Sequence, residues 1–318
     1  YYNLFDEDKG ILKQTKEYFR EKTLGVDLIV VVGGGLIKYK HQKFHILLPA
    51  LLSVAEEKGT AVVINSVGIE GYSKTDKRCL ELKQSLHLPC LKFISTRDDI
   101  NTLVHDYFDD APAVPTCKVA DPAVWASEVY GVKRRPSSKP IGIGIARGKL
   151  FMDHGVCMKP EELREKYIHL IEQLAKEGFE VMIFTNGLNS DNEFAVKISN
   201  ALLERGHIIG CLLPTTPKEL LSIIASFRAI IATRLHSCIV AYSLNVPAIG
   251  LVWNDKLRLF GENINCPDYY INPLEHSVEH IVEQMKNAIE RGYDQEHKSH
   301  FRDSIVDSIS SIGKSYKL

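Results

Sequence analysis

Cationic side chains follow three separate apolar, β-branched runs, one to four residues after each run, in the second half of this 318-residue sequence. The runs are 141–146, 229–233 and 248–252, and each has the composition of a strand buried on both faces. The cations that follow them are Arg147, Arg234, His236 and Lys256. Because parallel strands end at one edge of a sheet, these side chains are predicted to converge on a small anion. A helix near 237–244 would direct its N-terminal amides to the same region, which favours a phosphate or a carboxylate.

Each of these cations also has an ordinary structural interpretation. Arg234 could pair with a buried carboxylate, Lys256 could be a solvated surface charge, and His236 could be a histidine that merely starts a helix. For any one residue that interpretation is favoured, whereas the occurrence of all four at predicted strand ends favours an anion site. Three further residues follow another strand end and could either border this site or serve loop and cap roles: Asn186, Gly187 and Asp191.

The segments around this predicted site resemble the signature of the polysaccharide pyruvyl transferases. The resemblance rests on 230–236, Ala241, 245–249 and Lys256. Three upstream segments resemble the same family: 31–36, then Thr96, Arg97 and Asp98, then Asp121, Pro122 and Ala123. The resemblance therefore covers most of the chain, with the Arg-Leu-His segment and its downstream lysine as the more specific part.

The resemblance implies transfer of a pyruvyl group from phosphoenolpyruvate to a pair of sugar hydroxyls, which gives a cyclic ketal. The implied acceptor is a lipid-linked or nucleotide-linked glycan precursor, used in capsule or exopolysaccharide biosynthesis. In the family pattern the following residues match positions tied to phosphoenolpyruvate binding: Arg147, Arg234, Leu235 and His236. Lys256 matches an essential lysine downstream of them. Phosphoenolpyruvate is then a co-substrate, and no cofactor is expected.

The residue types fit this chemistry independently. Phosphoenolpyruvate carries a carboxylate and a phosphate, and arginine pairs with either group through two parallel hydrogen bonds. The enol carbon becomes electrophilic when its methylene is protonated, and His236 is the expected proton donor. Lys256 is expected to stabilise the departing phosphate, so His236 and Lys256 are the predicted catalytic residues. This scheme requires no metal.

Alternating strands and helices predict an α/β fold with two Rossmann-like domains, whose parallel sheets face a cleft as in GT-B proteins. The N-terminal series has strands at 28–32, 61–64 and 91–95, and shorter strand pieces near 105–108 and 113–117. A basic, proline-rich linker at 131–140 separates it from the series that begins at 141. The predicted domains are 1–136 on the acceptor side and 137–318 on the phosphoenolpyruvate side.

The acceptor-side candidates lie after the first strand. Gly33, Gly34 and Gly35 do not match the dinucleotide-binding pattern, so they are either a tight turn or backbone that lines the acceptor cleft. His41 follows them, four residues before His45, and could face the acceptor. Because the chain begins at Tyr1-Tyr2-Asn3 without methionine, we expect native residues before it. The resemblance implies an opening strand and loop that are lacking here and that belong to the acceptor side.

Composition narrows the classes of function. Lys and Arg number 39 against 40 Asp and Glu, which argues against a nucleic-acid surface. A mean hydropathy of -0.09 without a long apolar run argues against a membrane span, which leaves peripheral association with a membrane-bound glycan assembly. Seven cysteines, widely spaced and without a C-x-x-C pair, favour a reducing cytoplasm over a disulfide framework or a zinc site.

Two other functions compete with pyruvyl transfer. A GT-B glycosyltransferase would use the same cations against the diphosphate of a nucleotide sugar. A non-catalytic glycan-binding protein would use the fold without turnover, although the complete set of Arg234, Leu235, His236 and Lys256 argues against that.

Overall fold

Two parallel sheets organise the protein. The computed structural model describes residues 8–40, 43–135 and 137–316. The chain forms two compact units, the first made of residues up to Pro122 together with those from Phe301 onward, the second of Ala123–His300. The division thus falls before the predicted linker at 131–140, and the C-terminal segment belongs to the first unit rather than to the second.

The first unit contains a four-stranded parallel sheet of order β1-β2-β3-β4. Its elements are α1 (Asp8–Lys22), β1 (Leu28–Val32), α2 (Phe44–Lys58), β2 (Ala61–Val67), α3 (Lys77–Ser85), β3 (Leu91–Thr96) and β4 (Thr116–Lys118). The central strand β2 is almost wholly buried, as its continuously apolar start predicts. Residues from β2, α2 and α3 build the core, with Leu52, Ile64 and Leu82 fully buried.

One predicted strand of this unit is wrong. Residues 105–108 were expected to extend the sheet, but Thr102–Tyr107 forms a π-helical turn instead. Leu103 and Tyr107 are both fully buried there, and their spacing of four residues places them on one helical face. The helical period, not the strand period, therefore decides the backbone of this segment.

The second unit contains a six-stranded parallel sheet of order β10-β9-β8-β5-β6-β7. Its elements up to β8 in chain order are α4 (Ala126–Tyr130), β5 (Ile141–Gly144), α5 (Leu150–Asp153), α6 (Pro160–Lys176), β6 (Val181–Phe184), α7 (Asn189–Glu204), β7 (Gly210–Leu212), α8 (Pro217–Ala225) and β8 (Ala229–Ala232). The remainder are α9 (Leu235–Ser243), β9 (Ala248–Leu251), α10 (Asp255–Asn263), β10 (Tyr270–Ile271) and α11 (Val278–Arg291).

This strand order is the doubly wound order of Rossmann folds. β5, the first strand, lies in the middle of the sheet; the chain builds β6 and β7 on one side and then returns to build β8, β9 and β10 on the other. The order therefore reverses between β5 and β8, and a crevice at the carboxyl ends of these two strands is the expected ligand site of such a sheet.

A final helix, α12 (Gln295–Tyr316), begins in the second unit and ends in the first. Two of its serines form hydrogen bonds with residues of β2 and of the segment after β4. The backbone N–H of Ala120 donates to Ser304 Oγ at 3.0 Å, and Ser308 Oγ donates to Asn65 Oδ1 at 3.2 Å. Small polar residues four apart thus form one face of α12 and satisfy buried polar groups beside β2.

Within the described ranges, no helix has both the length and the apolar character needed to cross a bilayer. The seven cysteines are all free.

Gly142 in β5 is a sensitive position of the core. A Cβ at this residue would clash with the ring of Phe227, whereas a Cβ at Gly313 in α12 would meet nothing within 4 Å. We expect Gly142→Ala to lower the free energy of unfolding by about 1–3 kcal/mol, because buried strands tolerate overpacking poorly. Gly313→Ala is the matched control and should be neutral or slightly stabilising, since alanine favours helix. Urea unfolding of both variants tests this, and an unchanged midpoint in Gly142→Ala would contradict the packing described.

Candidate functional site

The point where the strand order reverses places two of the predicted cations side by side. β5 and β8 are neighbours, with Gly144 opposite Ala232, and Arg147 and Arg234 follow these strands by three and two residues. Both arginines are partly exposed. The two residues therefore follow neighbouring strand ends, but their guanidinium groups have different partners, Asp191 for Arg234 and Asp153 for Arg147.

A fully buried carboxylate holds the two segments together. Asp191, in the first turn of α7, accepts from Arg234 Nε at 2.9 Å and from Arg234 Nη2 at 2.6 Å. It also accepts from the backbone N–H of Arg147 at 2.9 Å. The alternative considered for Arg234, a buried carboxylate partner, is therefore present, and it orients the guanidinium. Its third nitrogen, Nη1, has no partner within the described residues and can face a ligand.

The Arg147 guanidinium is held more weakly. It pairs with Asp153 at the end of α5, where both side chains are about one-third or more exposed. Exposed ion pairs contribute roughly 0–1 kcal/mol, so an anionic ligand can compete with Asp153 for Arg147.

The turn from β8 into α9 is clamped on both sides at Thr233. Tyr167 in α6 hydrogen-bonds to its hydroxyl, and the indole Nε1 of Trp253 donates to its carbonyl at 2.8 Å. Burial raises the pKa of Tyr167 to about 12, so the phenol stays neutral. Ser237 Oγ in turn donates to Asn186 Oδ1 at 2.6 Å, which ties α9 to the end of β6.

The clamped turn presents His236 to solvent. Arg234 is the N-cap of α9, Leu235 and His236 are its first residues, and no side chain caps this helix end. His236 is exposed and Leu235 is half-buried. An uncapped helix N-terminus attracts anions, so the imidazole lies where a bound anion would be stabilised.

Lys256 lies one strand further along, in a helix rather than in a strand-end loop. It belongs to the first turn of α10, whose N-cap Asn254 accepts from the Leu257 N–H at 3.4 Å. β9 neighbours β8, so Lys256 shares the sheet edge with Arg234 and His236. Asp191 bonds to both the Arg147 backbone and the Arg234 side chain. His236 and Lys256 lie at the same sheet edge because they follow the neighbouring strands β8 and β9.

A cavity of about 640 Å³ opens on the other side of Arg147. Of the four predicted cations, Arg147 alone is among its lining residues. The other basic side chains in its wall are Lys149, Arg164 and Lys197. No sequence pattern marks these three residues, because two of them lie within helices and all are ordinary surface cations when considered singly.

The glycine run of the first unit forms a tight turn. Gly33 and Gly34 have φ of +65° and +77°, a region that favours glycine. Gly33 N–H donates to the Asn65 carbonyl at 2.9 Å, and Gly34 accepts from the Gly68 N–H at 2.7 Å. These bonds give the run a structural role, and an acceptor role for Gly33, Gly34 and Gly35 stays a prediction. His41 lies outside the described residues.

Two segments with family resemblance meet in the first unit. Arg97, after β3, forms a largely buried ion pair with Asp121, after β4. Asp98 Oδ1 accepts from Thr96 Oγ1 and from the backbone N–H of Ile69, both at 2.9 Å. Ser66, buried at the end of β2, has φ of +58°, an uncommon backbone for serine. No sequence pattern indicates this backbone conformation at Ser66.

The sequence was compared with models of known protein families and with curated protein sequences. A family model described as "Polysaccharide pyruvyl transferase" matches residues 1–255. No curated protein sequence matches the chain.

Several solved structures are similar in fold. UDP-GlcNAc 2-epimerase from Methanocaldococcus jannaschii has 12% identity and a TM-score of 0.63, with 98% of this chain and 84% of that chain covered. A putative UDP-N-acetylglucosamine 2-epimerase from Listeria monocytogenes has 10% identity and a TM-score of 0.65, with 98% and 82% covered. The Neisseria meningitidis UDP-GlcNAc 2-epimerase bound to UDP-GlcNAc has 14% identity and a TM-score of 0.60, with 97% and 82% covered. This likeness shows the fold, so the predicted GT-B-type α/β architecture with two parallel sheets is confirmed.

Asp191 holds the Arg234 side chain and the Arg147 backbone in place, so its removal should lower the free energy of unfolding. Asp191→Ala leaves the partly buried Arg234 without its carboxylate, and we expect a loss of about 3 kcal/mol in the free energy of unfolding. Asp153→Ala removes the exposed partner of Arg147 and should cost no more than about 0.5 kcal/mol. Urea unfolding of the two variants measures the difference. Equal losses would show that Asp191 is not the carboxylate that holds this edge together.

Proposed function

The chain belongs to the polysaccharide pyruvyl transferase family, and from this premise we propose that it transfers a pyruvyl group from phosphoenolpyruvate to two hydroxyls of a glycan precursor. The observation that carries the proposal is the bonding of Asp191 to the Arg234 guanidinium and to the backbone N–H of Arg147, beside the uncapped N-terminus that bears His236. We further propose that the protein works in the cytoplasm, on a lipid-linked or nucleotide-linked acceptor for a surface polysaccharide.

Phosphoenolpyruvate suits this group of side chains. Its carboxylate and phosphate are both anionic, and the two arginines follow neighbouring strand ends. Arg234 is oriented by two bonds to Asp191, so its remaining nitrogen binds one anionic group without a further loss of side-chain freedom. Arg147 binds the other when it exchanges Asp153 for substrate. The N-terminus of α9 adds a positive partial charge.

The proposed reaction begins with proton transfer from His236 to the methylene carbon of phosphoenolpyruvate. The second carbon gains positive charge, and the oxygen of one sugar hydroxyl bonds to it and loses its proton. The bond from this carbon to the phosphate oxygen then breaks, and the phosphate leaves with the electron pair while Lys256 stabilises its charge. The second hydroxyl adds to the same carbon and loses its proton, which closes the ketal. One of the two hydroxyl protons restores His236, and the other leaves with the phosphate or to solvent.

His236→Gln should abolish most turnover with the fold intact, because His236 is exposed and is the proposed proton donor. We expect kcat for phosphate release from phosphoenolpyruvate to fall by roughly 10²–10⁴-fold, the usual contribution of a general acid. The assay uses galactose- or mannosamine-type acceptors, and phosphate release should depend on them. Calorimetric titration should show that the variant still binds phosphoenolpyruvate.

His169→Gln is the matched control, since His169 is an exposed histidine of α6, and its kcat should match that of the unaltered protein. Normal turnover in His236→Gln would remove His236 from the mechanism. Absence of phosphoenolpyruvate binding to the unaltered protein would contradict the proposed function as a whole.

The fold of the solved relatives favours a second candidate, a glycosyltransferase-like use of a nucleotide sugar, since one of those structures holds UDP-GlcNAc. The two candidates differ in what they release. A pyruvyl transferase is stabilised by phosphoenolpyruvate, by about 2.7 kcal/mol at one hundred times Kd, and releases phosphate from it. A glycosyltransferase would release the nucleoside diphosphate from its donor and ignore phosphoenolpyruvate. Thermal shift with phosphoenolpyruvate, followed by product analysis, separates them.

A further inference from the structure

The cavity beside Arg147 has the charge and walls of a separate anion site. It is lined by four cationic and two acidic side chains, and its volume of about 640 Å³ lies within the range of small-molecule sites. The cations are Arg147, Lys149, Arg164 and Lys197, and the acids are Glu161 and Glu193. The cations of the wall thus outnumber its acids.

Regular elements position these charges. Ser190, Glu193, Phe194 and Lys197 occupy one face of α7, because they are spaced by three or four residues. Pro160, Glu161 and Arg164 form the corresponding face in the first turns of α6. Two helices and one loop therefore hold the cations on three sides of the cavity.

The loop that carries Lys149 is fixed by close packing. A Cβ at Gly148 would lie 2.8 Å from the ring of Phe194, so the backbone at 147–149 lies directly against α7. Lys149 and Lys197 are exposed, and neither side chain forms an ion pair within the described residues. By contrast, Arg147 and Arg164 each have an acidic neighbour, Asp153 and Glu165. The two lysines are thus the cations most available to a ligand.

We propose that this cavity binds the diphosphate of the acceptor, the group that nucleotide-linked and polyprenol-linked glycans share. Identification of the ligand as the acceptor rests on the proposed function; the presence of a diphosphate site does not. The uncapped N-terminus of α7, to which Ser190 belongs, adds a positive partial charge to the lysines. Because Arg147 borders both the cavity and the strand ends, a diphosphate held here brings the attached sugar next to bound phosphoenolpyruvate.

Binding of inorganic pyrophosphate, measured by calorimetry without phosphoenolpyruvate, tests the site. The double variant Lys149→Gln/Lys197→Gln should raise the Kd for pyrophosphate at least tenfold. Lys176→Gln changes an exposed lysine at the far end of α6 and should leave Kd within twofold. Glu193→Gln removes an acid from the cavity wall and should tighten binding severalfold, a gain that loss of folding cannot imitate.

Phosphoenolpyruvate supplies the reciprocal measurement. Lys256→Gln should weaken phosphoenolpyruvate binding and leave pyrophosphate binding unchanged, while the cavity variant should do the reverse. If Lys256→Gln weakens both ligands and the cavity variant weakens neither, pyrophosphate occupies the strand-end site and the proposal is overturned. If pyrophosphate binds in the cavity but phosphoenolpyruvate does not bind at all, the cavity site stands and the proposed function fails.

Two further probes distinguish the sources of the diphosphate. UDP and farnesyl diphosphate are titrated into the unaltered protein and into the cavity variant. Stronger binding of UDP than of pyrophosphate identifies a nucleotide-linked acceptor, and stronger binding of farnesyl diphosphate identifies a polyprenol-linked one. Failure of the cavity variant to weaken either organic diphosphate would contradict the assignment.

Discussion

A single buried carboxylate, Asp191, determines how the functional edge of the second sheet is assembled. A carboxylate without solvent contact is strongly unfavourable unless charged or polar donors surround it. Asp191 finds these donors in Arg234, which follows β8, and in the backbone of Arg147, which follows β5. Since α7 itself follows β6, one side chain ties together the ends of three strands. The same bonds that stabilise the fold orient the guanidinium of Arg234, so stability and ligand geometry have a common origin.

A second set of contacts makes the neighbouring helix N-terminus equally rigid. Thr233 is held through its hydroxyl by Tyr167 and through its carbonyl by Trp253, immediately before α9 begins. The phenol is buried and neutral, so this clamp persists over the whole physiological pH range. The proposed proton donor His236 would benefit from such support, because small displacements of a catalytic group lower rates greatly. His236 itself remains exposed, so the clamp fixes the backbone without burying the imidazole.

The sequence allowed prediction of those features that depend on local pattern. Apolar β-branched runs located β5, β8 and β9. Features that depend on distant partners were not predictable. The partner of Arg234 lies 43 positions away in sequence, and α12 returns to the first unit after the whole second unit has been completed. Lys256 was placed after a strand correctly, but the helix that contains it depends on the cap by Asn254. The cavity beside Arg147 depends on faces of α6 and α7 that come together only in the folded protein.

The strand-end site and the cavity treat charge in different ways, and this difference bears on how substrates would be distinguished. At the strand ends, Arg234 and Arg147 are each balanced by a carboxylate, so the site contributes directed hydrogen bonds more than long-range attraction. In the cavity, Lys149 and Lys197 are exposed cations that attract anions over a distance of about one Debye length, near 8–10 Å at moderate salt. Attraction of this kind selects for charge but not for shape, whereas a fixed guanidinium selects for the geometry of a planar or tetrahedral oxyanion. Under the two proposals, the rigid guanidinium of Arg234 would favour the small acid, and the exposed lysines would favour the larger diphosphate. Arg147 is the residue common to both sites.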